Sequence, residues 1–186
     1  MSEKTKDFWN TRKLVTNAAL IALHIVLSQV ATIRIGNSMV ITVSGITEVV
    51  AGLLFGPISG GLVGLMGSLG NQMLLYGFTA TTALWIIPAG LRGMICGWYA
   101  RSRGYQPGAL GTLWVLVVTA AIVTAVNTNV MIIDAAIYGY NTDAAVLTQL
   151  GMRYLSGALT SVAYTAVAAP LMRRLGRVEG LAALRE

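Results

Sequence analysis

The chain has 186 residues, of which 55% are hydrophobic and 11% charged, and its mean hydropathy is +0.70. A soluble domain carries about 25% charged residues, so the polar surface here cannot cover a globule, and an integral membrane protein is the class that fits. The formal net charge of +6 is then a matter of where charges fall along the membrane and not a nucleic-acid footprint, and the single cysteine, Cys96, excludes an intrachain disulfide.

Residues 1–13 read as a polar cytoplasmic tail carrying Lys4, Lys6, Arg12 and Lys13. Behind it, 14–33 is an apolar run whose one ionisable group is His24. At 1.5 Å per residue it reaches about 30 Å, the thickness of the hydrocarbon layer. It is too long for the apolar core of a signal peptide, so the first helix is expected to stay as an anchor. Ala18 and Ala22 share one face of it, a small-xxx-small pair of the kind that lets another helix approach in lipid. A lone histidine cannot build a metal site; His24 is read as a satisfied interhelical hydrogen bond.

The second segment, about 41–55, is short and contains Glu48; the third, about 58–76, is glycine-rich. Gly52, Gly56, Gly60 and Gly64 recur every fourth position. In water each glycine costs a helix about 1 kcal/mol relative to alanine, but between membrane helices small residues permit backbone contact. Residues 41–76 are too long for one crossing and long enough for two. Pro57 disfavours helix at Gly56, so a turn is expected there. The fourth segment, about 79–100, holds Pro88 and Arg92; the fifth, about 110–138, holds Asn127, Asn129 and Asp134; the sixth, about 146–172, holds Arg153 and Pro170. Residues 173–186 form a second polar tail.

Six crossings place Lys4, Lys6, Arg12, Lys13, Arg101, Arg103, Arg173, Arg174, Arg177 and Arg185 all on one side, which the positive-inside rule makes cytoplasmic. Five crossings would divide them. The expected architecture is therefore an all-α integral membrane protein of six transmembrane helices, both termini cytoplasmic, with a transmembrane domain over 14–172.

Polar groups then gather near the outer end. Arg34 ends the first segment, Asn71, Gln72 and Tyr76 close the third, and Arg153 and Tyr154 enter the sixth. Buried ionisable groups in a membrane face the protein interior or a water-filled cavity, so the cluster suggests an outward pocket with apolar walls. Arg34, Asn71, Gln72, Trp85, Asn129, Asp134 and Arg153 are the candidate binding residues. Arg34 and Arg153 suit a carboxylate, and Trp85 suits a flat ring. Two plainer readings stand beside this: Asp134 with Arg153, and Glu48 with Arg92, as internal ion pairs holding helices together. Arg92 lies deeper and is read as structural; the tyrosines also fit an interfacial aromatic belt. No HExxH or Gly-x-Ser-x-Gly arrangement and no phosphate-cradling loop is present. Catalysis, a resident metal and a cofactor are not expected, and any use of ATP falls to another subunit.

The stretch Arg34-Ile35-Gly36 followed by Ala51-Gly52-Leu53-Leu54-Phe55-Gly56-Pro57 and a glycine-rich helix resembles the vitamin-binding S components of energy-coupling factor (ECF) transporters, the folate-type members most nearly. The resemblance covers roughly residues 12–175. Two departures accompany it: folate-type members usually carry an Asp after a Gly in helix three, where Ser68 follows Gly67 here, and their Gly-Pro-rich loop before helix four is replaced by "LLYGFTATTALW". The resemblance implies a subunit of a prokaryotic plasma membrane that captures a water-soluble vitamin from outside. It implies a transmembrane T subunit and two ATPases as partners, with Ala18 and Ala22 docking on the T subunit. Folate is the first candidate, with cobalamin and pantothenate open; an autonomous channel or secondary transporter is the alternative of another class.

Overall fold

A computed structural model of the chain describes residues 11–35, 39–139, 143–175 and 184–185. Six helices follow one another: α1 (Thr11–Val30), α2 (Gly45–Phe55), α3 (Pro57–Tyr76), α4 (Thr82–Ser102), α5 (Ala109–Tyr138) and α6 (Asp143–Leu175), with strands β1 (Thr32–Ile35) and β2 (Met39–Thr42) between the first two. Three of them, Thr11–Val30, Ala109–Tyr138 and Leu150–Leu175, are long and apolar enough to cross a membrane. Their outward faces are oily. Val15 on α1, Trp114 on α5 and Val162 on α6 are all exposed, while Glu48, Thr47, Thr112, Thr119 and Asn17 are buried. This inversion of the soluble pattern suits lipid on the outside.

The short helix α2 is the buried centre. Val49, Leu53, Leu54 and Phe55 pack there with Cys96 and Ala100 of α4, Leu116 of α5 and Tyr164, Ala168 and Met172 of α6. Gly56 lies between α2 and α3 with φ 114, a conformation open to glycine, and Pro57 begins α3, where its missing N–H costs nothing. The turn expected at this dipeptide is there.

The glycines make a seam between helices α2, α3 and α4. A Cβ on Gly93 would stand 2.1 Å from the carbonyl oxygen of Gly60, and one on Gly52 would stand 2.3 Å from the carbonyl of Gly93. A Cβ on Gly64 would stand 2.4 Å from the Ala89 carbonyl oxygen, and one on Gly97 2.4 Å from Pro57 N. Farther along α3, Gly67 and Gly70 leave room for His24 and Ile25 of α1. One helix thus uses successive glycines against two neighbours.

The architecture is helical as expected, and three boundaries differ from those read in the sequence. Helix α1 ends at Val30, and residues read as the end of that segment enter a short antiparallel hairpin pairing Thr32 with Thr42 and Ile35 with Met39. The runs Thr32–Ile35 and Met39–Thr42 are mostly β-branched, and their crowded χ1 favours strand over helix. Next, α1 begins at Thr11, so Arg12 and Lys13 belong to its first turn, with Lys13 buried. At the other end α6 runs to Leu175 and takes in Arg173 and Arg174.

Candidate functional site

A two-lobed cavity lies between the hairpin and the six helices. The larger lobe, about 740 Å³, is lined by residues of α1, α3, α4 and the hairpin, by Gly45 and Glu48 of α2 and by Asn127 of α5. The smaller, about 330 Å³, lies between α4, α5 and α6. Thr42, Trp85, Arg92 and Asn127 line both, so they form a shared waist. Together the lobes have the scale of a small-molecule site.

Helical periodicity places these side chains. On α3, Ser68, Asn71, Gln72 and Leu75 face the larger lobe, a spacing of i, i+3, i+4, i+7 that marks one helix face. On α4 the same spacing brings in Trp85, Pro88, Ala89 and Arg92. On α6, Arg153, Ser156, Gly157 and Thr160 line the smaller lobe. The apolar part of that lobe comes from Leu116, Ala120 and Val123 of α5.

Beneath the waist sits a charged pair. Glu48 is fully buried, and its Oε1 accepts a hydrogen bond from Arg92 Nη1 at 2.9 Å. Its Oε2 lies 3.9 Å from His24 Nδ1. His24 itself is within hydrogen-bond distance of Thr47 Oγ1 at 2.9 Å, the interhelical bond expected of it. Removing one partner of such a buried pair is far costlier than replacing both with apolar residues, because the survivor keeps an uncompensated charge out of water. Gly45 makes room for the arrangement: a Cβ there would fall 2.4 Å from Arg92 Nη1 and 2.6 Å from the Tyr164 hydroxyl. Tyr164 donates to the Thr42 carbonyl at 2.6 Å, which ties α6 to the hairpin at the waist.

Of the residues expected in a pocket, Asn71, Gln72, Trp85 and Arg153 line the cavity. Asn71 also ties α3 to α1, its Oδ1 accepting from Ser28 Oγ at 2.8 Å and Gln29 Nε2 at 2.7 Å. Asp134 lines neither lobe; its Oδ1 accepts from the Trp85 indole N–H at 3.2 Å and from the Thr81 hydroxyl. It therefore orients the ring that faces the cavity. The ion pair of Asp134 with Arg153 does not form: Arg153 donates instead to Thr128 Oγ1 at 3.4 Å and Met131 Sδ at 3.1 Å. The alternative pair, Glu48 with Arg92, does form. Asn129 is exposed and donates back to the Ala125 carbonyl of its own helix at 2.9 Å. Asn127 is the asparagine at the waist. Arg34 is in β1, opposite Val40, and its side chain lies outside the described residues, as does Tyr140. Ala18 and Ala22 are exposed on α1, so neither is buried among the described residues.

Arg92, read as structural, pairs with Glu48 and also lines both lobes. Glu48, Thr42 and Tyr164 carried no sequence signal as site residues beyond being polar in apolar runs.

Comparison with known proteins agrees with this architecture. The fold is shared with the crystal structure of FolT bound with folic acid, at TM-score 0.64 and 19% identity over 89% of this chain and 97% of that one. It is shared equally with the S component of a bacterial ECF transporter, at TM-score 0.64 and 18% identity over 90% of this chain and 99% of that one. A UPF0397 protein of Exiguobacterium sp. (strain ATCC BAA-1283 / AT1b) is 31% identical over 136 residues, covering 70% of this chain and 73% of that protein. The family model described as "ECF-type riboflavin transporter, S component" matches residues 8–175. This chain belongs to that family of ECF transporter S components, which are substrate-binding transporter subunits.

Proposed function

We propose that this chain captures a water-soluble vitamin from outside a prokaryotic cell and passes it inward when joined to a T subunit and two ATPases. In this reading the chain crosses the plasma membrane six times with both ends cytoplasmic. The observation that carries it is the two-lobed cavity with Trp85, Arg92 and Asn127 at its waist. Its position supports capture from outside. Trp85 and Arg92 stand in the first two-thirds of α4, whereas Arg101 is in the last turn, and the positive-inside rule draws Arg101 to the cytoplasm. Lipid covers the exposed apolar faces of α1, α5 and α6, and nucleic acid has no part in the function.

Folate is the first candidate. It joins a flat ring, suited to Trp85, with carboxylates, suited to Arg153, and the similar fold of FolT was solved with folic acid. Fold alone does not select a ligand, so riboflavin, cobalamin and pantothenate complete the test. The purified full chain in detergent is titrated with each of the four, binding is read by tryptophan fluorescence, and any co-purified ligand is identified by mass spectrometry. One vitamin is expected to bind saturably. Failure of all four, with solute passing through liposomes that contain this chain alone, would replace the reading with an autonomous channel or transporter.

A further inference from the structure

The two arginines that face the cavity differ in what balances their charge. Arg92 is paired with Glu48 at 2.9 Å, and its side chain remains 22% exposed toward the cavity. The pair is neutral as a unit, while the guanidinium donors not spent on Glu48 stay available. Arg153 has neutral partners, the Thr128 hydroxyl at 3.4 Å and the Met131 sulfur at 3.1 Å. Among the described residues, no carboxylate lines the smaller lobe that it faces. The hydroxyls around it are occupied in part: Thr160 donates to the Ser156 carbonyl at 2.7 Å and Ser161 to the Gly157 carbonyl at 2.8 Å. A guanidinium facing an apolar-walled cavity without a countercharge is poorly compensated. An anion arriving with the ligand would supply both the charge and the acceptors.

We infer that Arg153 anchors an anionic group of the cargo, a carboxylate or a phosphate, while the Glu48-neutralised Arg92 donates to an uncharged acceptor such as a ring carbonyl or ring nitrogen. The cargo is then a two-ended acid: a flat, acceptor-bearing ring at the waist beside Trp85 and an anionic arm in the smaller lobe. Glu48 and Gly45 are positioning residues in this arrangement. Glu48 holds the guanidinium, and Gly45 leaves the space it occupies, since a Cβ would fall 2.4 Å from Arg92 Nη1. The inference rests on the cavity being the ligand site, as proposed above, and goes beyond it in assigning each arginine its own part of the ligand.

Matched probes that differ by the anion test it. Folic acid is paired with 6-methylpterin, and riboflavin 5′-phosphate with riboflavin, each titrated into the full chain in detergent. In whichever ring series binds, the anionic member is expected to bind at least tenfold more tightly. Arg153→Gln should erase that ratio, weakening the anionic member at least tenfold more than the neutral one. Gly45→Ala, which pushes the tip of Arg92 and the Tyr164 hydroxyl and touches no part of Arg153, should weaken both members by a similar factor and keep the ratio. A carboxylate and a phosphate are separated by which series shows the preference. Neutral probes binding as tightly as their anionic partners to the unmodified chain would overturn the inference while leaving vitamin capture intact. So would an Arg153→Gln variant, folded by its melting curve, that weakens both members equally. If neither series binds, the inference is overturned; the four-vitamin titration then decides separately whether capture survives.

Discussion

The indole N–H of Trp85 donates to Asp134 Oδ1 at 3.2 Å, and the hydroxyl of Thr81 donates to the same oxygen. One carboxylate on α5 therefore fixes both the start of α4 and the ring that α4 turns toward the cavity. Hydrogen bonds to a charged acceptor contribute about 1.5–3 kcal/mol, and Thr81 is buried, so its hydroxyl has little water to fall back on. Asp134→Ala is expected to lower the melting temperature and to weaken ligand binding about tenfold by freeing the ring, a loss of about 1.4 kcal/mol. Asp134→Asn keeps a carbonyl acceptor and should lose less. Equal ligand affinity in Asp134→Ala and the unmodified chain would show that the ring needs no such support.

The glycine seam makes a sharper demand. At Gly93 and Gly60 an added Cβ would meet a backbone carbonyl at 2.1 and 2.4 Å, and backbone cannot swing aside as a side-chain tip can. Overpacking of this kind costs about 1–3 kcal/mol and at times more. Gly93→Ala should therefore cut the yield of folded protein and lower the unfolding temperature in detergent by several degrees. Gly151→Ala, where nothing lies within 4 Å, is the matched control and should cost nothing. If the two variants melt together, α3 and α4 are not in backbone contact.

Ala18 and Ala22 lie exposed on the side of α1 opposite its buried Asn17 and His24, so a larger residue there is accommodated among the described residues. Ala18→Trp or Ala22→Trp should abolish co-purification with the T subunit while leaving vitamin affinity within twofold. Normal co-purification would move the docking surface elsewhere. Loss of vitamin binding together with docking would mean instead that α1 had been displaced from Asn71 and Thr47.

Much of the fold was legible because its signals are local. The span 110–138 read from hydropathy differs by one residue from α5, Ala109–Tyr138, since a long apolar run has one way to satisfy its backbone in lipid. The break at Gly56–Pro57 was legible because it depends on two residues and their allowed dihedrals. The hairpin escaped because 14–33 was read for hydropathy alone, and Thr32-Ile33 is as apolar in that sense as a helix end. The signal available was two β-branched runs flanking a short segment with Gly36 and Asn37. The site was half legible. Its polar residues could be gathered at one end of the bundle by topology, but which of them share a partner depends on helix rotation. That is why Asp134 and Arg153, opposite in charge and near in depth, find separate partners, while Glu48 and Arg92 find each other.

Asn127 and Asn129 pose the same problem in its smallest form. Two residues apart on a helix means about 200° of rotation, so they cannot both face one cavity. Sequence gives no means of choosing between them, and the candidate chosen from it was Asn129. The rotation of α5 is set by Leu116, Val123 and Val130, which are buried, and it turns Asn127 to the waist and Asn129 outward. An amide at the waist has both a donor and an acceptor to offer a heterocycle, and losing one such hydrogen bond costs about 1 kcal/mol. Asn127→Ala is accordingly expected to weaken ligand binding about five- to tenfold at an unchanged melting temperature. Asn129→Ala, which loses a bond to its own helix, should bind as the unmodified chain does. The reverse order of effects, read by the same fluorescence titration, would mean that α5 is rotated by half a turn and that the smaller lobe is lined by a different face of it.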